Sequence, residues 1–169
     1  MSQDITLTAR DGHVMDGYLA APAGSPRGVV VVAQEMYGVN WYLRGVADHF
    51  ATNGYLAIVP ALHDRIEKGV ELSYSKEEHD RAEILFRGAD WDVSLRDLED
   101  AGKWATASAG LPQNRVAIVG FCYGGTLAWM AACLHTSRGN GQFELFLALS
   151  YRKSRVGTLM PAPRRRSGM

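Results

Sequence analysis

The chain has 169 residues, 47% hydrophobic and 21% charged, proportions ordinary for a single globular domain able to bury a sizeable core. Its first residues, Met1-Ser2-Gln3-Asp4-Ile5-Thr6, have neither the basic nor the apolar region of a signal peptide, and no apolar run approaches a membrane span. The two cysteines sit in unlike contexts, which argues against a disulfide, so we expect a cytoplasmic protein. The net charge of zero hides an asymmetry: residues 152–169 hold six of the eighteen basic residues and no acid, leaving that segment at +6 and residues 1–151 at −6.

In chain order, Ile5-Thr6-Leu7 and His13 to Leu19 flank Asp11-Gly12, a hairpin signal that predicts an antiparallel edge. Pro22 to Gly28 reads as a connecting loop. Val29-Val30-Val31-Val32-Ala33 is a continuous apolar run, as expected of a parallel strand buried on both faces. It runs into Gln34-Glu35-Met36-Tyr37-Gly38-Val39-Asn40. Open α/β sheets bind ligands at the carboxyl ends of their strands, so Glu35 is a candidate for chemistry, the alternative being a solvated loop glutamate. Tyr37 and Trp41 could line the same pocket or simply pack. Asn40 is placed to cap a helix from Trp41 to about Thr52, stopped by Gly54, with Leu43, Val46, Ala47 and Phe50 on one face.

Tyr55 to Val59 is the next buried strand, ended by Pro60. His63-Asp64 follows, and without further ligands at metal spacing it reads as a polar loop; no metal site is expected. Glu67 to Arg87 is charged and predicts a short helix over the site mouth, with His79 and Asp80 solvated and Arg81 able to fork onto a substrate carboxylate. Asp90 can cap a longer helix with the stripe Trp91, Leu95, Leu98, Ala101 and Ala105. Leu111 to Asn114 turns the chain into the strand Arg115 to Val119. Alternating strands and helices predict an α/β fold with a mostly parallel sheet and helices on both faces.

Gly120-Phe121-Cys122-Tyr123-Gly124-Gly125 follows that strand and precedes Thr126 to Ala132, which reads as a helix. Strand, G-x-C-x-G-G and helix make the layout of a nucleophile elbow with cysteine in place of serine. The turn is so sharp that glycines must flank the nucleophile, and the helix start aimed at the sulfur favours a thiolate. The alternative is a glycine-rich turn holding an inert, buried cysteine. Cys133 lies in the same Ala-rich helix and reads as a core residue. The apolar run Leu145 to Ser150 predicts a further strand.

Together, Gln34-Glu35-Met36-Tyr37-Gly38-Val39-Asn40 and Gly120-Phe121-Cys122-Tyr123-Gly124-Gly125 resemble the dienelactone hydrolase (carboxymethylenebutenolidase) family. The spacing between them is similar too, as are the strand ending in Pro60, the charged linker and the helix carrying Asp97-Leu98-Glu99. The resemblance runs from about Ile5 to Tyr151. It implies a three-layer α/β-hydrolase-type sandwich over residues 1–151, and hydrolysis of a small-molecule ester or lactone without a cofactor. Cys122 would be the nucleophile and Glu35 its resting hydrogen-bond partner, taking the thiol proton when substrate arrives. The backbone N–H groups of Met36 and Tyr123 would form the oxyanion hole, and an acyl-enzyme would be hydrolysed by water.

Enzymes of this fold place an acid and then a histidine after the nucleophile. Here Glu144 and His135 alone follow Cys122. His135, about thirteen residues along the same helix, would lie close to 20 Å from the sulfur and cannot serve as base. Glu144 precedes a strand, at the end of the sheet away from the site. The family's later aspartate and histidine would fall beyond Tyr151, so its carboxyl-terminal strands and helices are expected to be missing. Residues 152–169 could be a basic tail that contacts nucleic acid, an ordinary disordered terminus, or the product of a reading-frame change. We expect the last, because the change of composition comes directly after a strand that the fold must continue. Three functions follow: an impaired ester hydrolase, a non-catalytic ligand- or partner-binding relative, and nucleic-acid binding through the tail, which is the least expected. An open apolar edge at Leu145 to Leu149 would also favour self-association.

Overall fold

The computed structural model describes residues 1–138 and 145–149, of which 135–138 and 145–149 are described as backbone only. Six strands form one sheet in the order β1-β2-β4-β3-β5-β6. They are β1 (Ser2–Thr8), β2 (Val14–Ala20), β3 (Val29–Ala33), β4 (Leu56–Pro60), β5 (Val116–Phe121) and β6 (Leu145–Leu149). The predicted hairpin joins β1 and β2 in antiparallel register, Ile5 opposite Gly17. Its turn closes through Asp11 Oδ1, which accepts from the His13 N–H at 3.1 Å. β2 also pairs antiparallel with β4, while β4, β3, β5 and β6 run parallel.

Helices cover both faces, which is why the central strands are apolar at every position instead of alternating. Val30, Val32, Ala57 and Val59 face α1 (Trp41–Thr52) and meet Leu43, Val46 and Ala47. Val29, Val31, Leu56, Ile58, Val116 and Ile118 point the other way, onto α3 (Trp91–Ser108) and α4 (Tyr123–Arg138). Each fully buried valine contributes roughly 1.5–3 kcal/mol relative to exposure. A third helix, α2 (Lys76–Gly88), packs Ala82 and Leu85 against Val70, Leu72, Met36 and Tyr37, over the loop that follows β3. The expected caps are in place. Asn40 Oδ1 accepts from the Leu43 N–H at 3.3 Å, and Asp90 Oδ1 from the Val93 N–H at 3.0 Å. Gly54 ends α1 with φ of 88°.

His63 and Asp64 are not in a solvated loop. They lie in a short 3-10 turn, Leu62–Arg65, at 1% and 5% exposure. The two Asp64 oxygens accept from the N–H groups of Asp16 (2.8 Å) and Gly69 (3.2 Å), which explains why a carboxylate is tolerated there. The neighbouring Arg65 forks onto Asp97 of α3 at 2.8 and 2.7 Å and also reaches Asp11. Asp97, within the helix that carried part of the family resemblance, is therefore a structural tie. Cys133 is also corrected: it is exposed. The α4 positions that meet the sheet are Leu127, Ala128 and Ala131, and Cys133 falls on the opposite stripe, one turn past the exposed Trp129. α4 itself begins at Tyr123, three residues before the expected start at Thr126. Glu144, Ser150 and the segment 152–169 lie outside the described residues, and His135 is described only as backbone within the last turn of α4.

Candidate active site

The sheet register brings the two motifs together. Ala33 of β3 is paired with Gly120 of β5, so Glu35 and Cys122 each lie two residues beyond the same rung of adjacent parallel strands. Motifs more than eighty residues apart in sequence thus leave the sheet side by side at its carboxyl end. The β3 loop is then held against the segment before α2. Val39 N–H donates to the Val70 carbonyl at 3.1 Å, Leu72 N–H to the Tyr37 carbonyl at 2.9 Å, and Asn40 Nδ2 to the Leu72 carbonyl at 3.1 Å. This close approach requires Gly38, whose φ is 78° and where a Cβ would lie 1.9 Å from the Val70 oxygen.

Cys122 has φ of 51°, the left-handed region that costs a non-glycine residue about 1–2 kcal/mol per position. Strain of this kind persists where surrounding structure imposes it, and here the cause is visible. A Cβ on Gly120 would sit 2.2 Å from Gly124 backbone atoms, and one on Gly124 would sit 2.3 Å from the Ala33 oxygen. Strand, elbow and helix therefore cross within contact distance of their backbones, and the elbow leaves Cys122 exposed. The reading of an inert, buried cysteine does not hold.

Electrostatics disfavour the thiolate at Cys122. Crowding by protein raises its pKa above the ordinary value, the Tyr123 N–H bonded to it works the other way, and the charge of Glu35 raises it again. The start of α4 at Tyr123 does not outweigh partial desolvation by the surrounding protein and a nearby carboxylate, although Cys122 itself stays exposed. Glu35 is itself buried, at 7% exposure, and burial pushes its pKa up against the opposing effect of a hydrogen bond from Tyr74. That bond, Tyr74 Oη to Glu35 Oε2 at 2.6 Å, takes the place of the thiol contact expected for Glu35. The solvated-loop reading of Glu35 is excluded by its burial.

Sequence reasoning missed Tyr74 and His63. Tyr74 lies in the charged linker, without a periodic or motif signal, and joins the site through the tertiary fold. Its ring meets Tyr37 edge-on with centroids 4.6 Å apart, and Trp41 and Tyr42 at 6.4 and 6.3 Å. The aromatics singled out near Glu35, Tyr37 and Trp41, therefore pack against Tyr74. His63 Nε2 bonds the Met36 carbonyl at 3.0 Å, which defines Nε2 as the donor, and its ring lies parallel to that of the buried Tyr123. Burial lowers the His63 pKa, so it holds Met36 as a neutral imidazole. Tyr123 Oη in turn donates to Ser94 Oγ at 2.8 Å, anchoring the residue after Cys122 to α3.

Arg81 pairs with Glu67, and His79 is exposed with its Nδ1 2.9 Å from Tyr37 Oη. No group of three or more His, Cys, Asp or Glu side chains among the described residues could hold a metal. A separate cavity of ≈ 440 Å³ lies between the hairpin and residues 69–71, with Asp4, Asp16, Asp64, Glu71 and Arg44 in its lining. Neither Glu35 nor Cys122 lines it. No helix among the described residues is long and apolar enough to cross a membrane.

A mostly parallel sheet covered on both faces, with a strained residue at a strand-to-helix elbow, defines the α/β-hydrolase class. Within it the chain belongs to the dienelactone hydrolase family, whose model matches residues 15–140. A carboxymethylenebutenolidase of Pseudomonas putida is 30% identical over 155 residues, covering 90% of this chain and 65% of that protein. Carboxymethylenebutenolidase 1 of Cupriavidus pinatubonensis is 33% identical over 135 residues, covering 78% and 56%. A dienelactone hydrolase-type crystal structure from Klebsiella pneumoniae superposes with a TM-score of 0.70 at 28% identity, covering 92% of this chain and 63% of that one. The chain thus spans between about half and two thirds of the length of the relatives it matches.

Proposed function

We propose that the site performs the acylation half of ester or lactone hydrolysis, with Cys122 as nucleophile. The observation that carries this reading is the left-handed φ of Cys122 at an elbow sealed by Gly120 and Gly124, with Glu35 from the adjacent strand. The thiol proton passes to the Glu35 carboxylate as sulfur attacks the carbonyl carbon. The N–H groups of Met36 and Tyr123 receive the oxyanion, the C–O bond breaks as the alkoxide takes the proton from Glu35, and a thioester remains on Cys122. His63 supports this by holding the Met36 carbonyl, and Ser94 by anchoring the Tyr123 side chain. Water must then cleave the thioester.

Among the described residues, neither an imidazole nor a carboxylate is hydrogen-bonded to the sulfur, and a general base is typically worth about 10² to 10⁴ in rate. We therefore expect acylation to outrun deacylation in this chain. p-Nitrophenyl acetate tests this: one equivalent of p-nitrophenolate should appear as a burst on Cys122, followed by slow turnover, and Cys122→Ala should remove both phases. Undiminished release from Cys122→Ala would sink the reading. The same observation favours a second one, a relative that captures a ligand without turnover, and a burst with no subsequent acid release would select it. β6 ends the described sheet, and an apolar edge strand pairs readily with another chain. Self-association is accordingly expected; sedimentation showing a monomer at every concentration would contradict it.

A further inference from the structure

Tyr74 is placed too deliberately to be a chance neighbour of Glu35. Ser75 Oγ caps α2 by accepting from the Glu78 N–H at 3.3 Å, and Glu78 Oε2 accepts in return from the Ser73 N–H at 2.6 Å. This variant of a capping box straddles Tyr74 and fixes its backbone. Upstream, Val70 and Leu72 are tied to the β3 loop, and the Tyr74 ring is braced by Tyr37, Trp41 and Tyr42. Tyr74 is 45% exposed, yet its hydroxyl lies 2.6 Å from a carboxylate oxygen of the buried Glu35, which has little access to water. A short bond from a neutral donor to an ionised, desolvated acceptor is among the stronger side-chain hydrogen bonds.

We propose that Tyr74 is a positioning residue that latches Glu35 in its ionised form and so restrains the proton exchange by which Cys122 would become a thiolate. The exchange is a single proton transfer: the Cys122 S–H bond breaks, a Glu35 O–H bond forms, and the phenol keeps its own proton throughout. Tyr74 opposes that transfer because it bonds the charged carboxylate better than the neutral acid. The charged carboxylate in turn disfavours a thiolate beside it. Other titratable groups around the pair are Tyr37 from the β3 loop, Tyr42 from α1, Tyr123 at the start of α4 and His63 from the 3-10 turn. None of these replaces Tyr74 on Glu35 Oε2.

The proposal rests on Glu35 serving Cys122 as its base, but it can be tested without an ester. Iodoacetamide alkylates the thiolate, forming an S–C bond with loss of iodide, and its rate against pH reports the thiolate fraction. Cys133→Ser serves as background because Cys133 is exposed. Tyr74→Phe keeps the ring and removes the hydroxyl. It should speed alkylation of Cys122 about tenfold between about pH 6 and 8, the loss of one hydrogen bond to a charged group. In a Glu35→Gln background the same substitution should change nothing, since no carboxylate remains to be latched. An unchanged or slower rate in Tyr74→Phe overturns the proposal. So does an equal gain in both backgrounds, which is what simple loosening of the fold would give. If p-nitrophenyl acetate fails to acylate Cys122, the hydrolase reading falls while the alkylation result still decides the role of Tyr74.

Discussion

Three glycine-to-alanine substitutions separate space from backbone strain at the elbow. At Gly120 the added methyl would lie 2.2 Å from both the carbon and the oxygen of Gly124 and 2.7 Å from the Gly125 nitrogen. Ordinary contact begins near 3.4 Å, so the backbones must part by more than an ångström, and no flexible side chain can absorb the shift. Overpacking a well-filled core costs about 1–3 kcal/mol, and this clash lies at or beyond the upper end. Gly12, with φ of 84° and open space around it, isolates strain and should cost about 1–2 kcal/mol. Gly45, inside α1 with open space and an ordinary φ, should gain up to about 1 kcal/mol from helix propensity. Urea unfolding at constant m-value ranks the three, and iodoacetamide reads the site directly. Gly120→Ala should be the least stable and should also alter Cys122 alkylation, because separating β5 from α4 relaxes the left-handed turn. A Gly120→Ala midpoint equal to that of Gly45→Ala would refute the close crossing on which the elbow depends.

Glu35 has its pKa raised from 4.5 by burial, so ionising it costs folding energy: the contribution of Glu35 to stability is greatest below about 4.5 and declines as pH rises through the folded value. Glu35→Gln should therefore raise the melting temperature at neutral pH, with the difference fading as pH falls toward 4.5; a difference independent of pH would contradict this. Arg65→Ala leaves the carboxylate of Asp97 buried at 1% exposure without its partner, and should destabilise by about 3 kcal/mol in urea titration. Asp97→Asn in that background should recover part of the loss, and no recovery would show that Arg65 acts through packing alone.

Most of the architecture was legible because it follows from local rules. The Val29–Ala33 run could only be a strand covered on both faces, and Asn40 and Asp90 were placed before apolar helical stripes that gave them helices to cap. Cys122 and Glu35 were legible as candidates because a nucleophile elbow needs glycines at fixed offsets, and because a carboxylate just past a buried strand has few packing roles. What failed was burial of isolated polar residues. His63-Asp64 looks like a solvated dipeptide, and only the return of the chain beneath the β3 loop supplies the carbonyl of Met36 and the N–H groups of Asp16 and Gly69. Cys133 misled because an Ala-rich helix does not declare which stripe meets the sheet.

The sequence by itself determined the order of strands and helices, the glycine-flanked elbow and the candidate nucleophile, since each is a property of a short stretch of chain with its own periodicity or steric demand. Only the tertiary structure decided that Glu35 is buried, that its hydrogen bond comes from Tyr74, and that Met36 is held by His63. Those facts arise from contacts between segments 27 to 39 residues apart. Desolvation and hydrogen-bond choice depend on which groups converge in space, and no local pattern encodes that convergence.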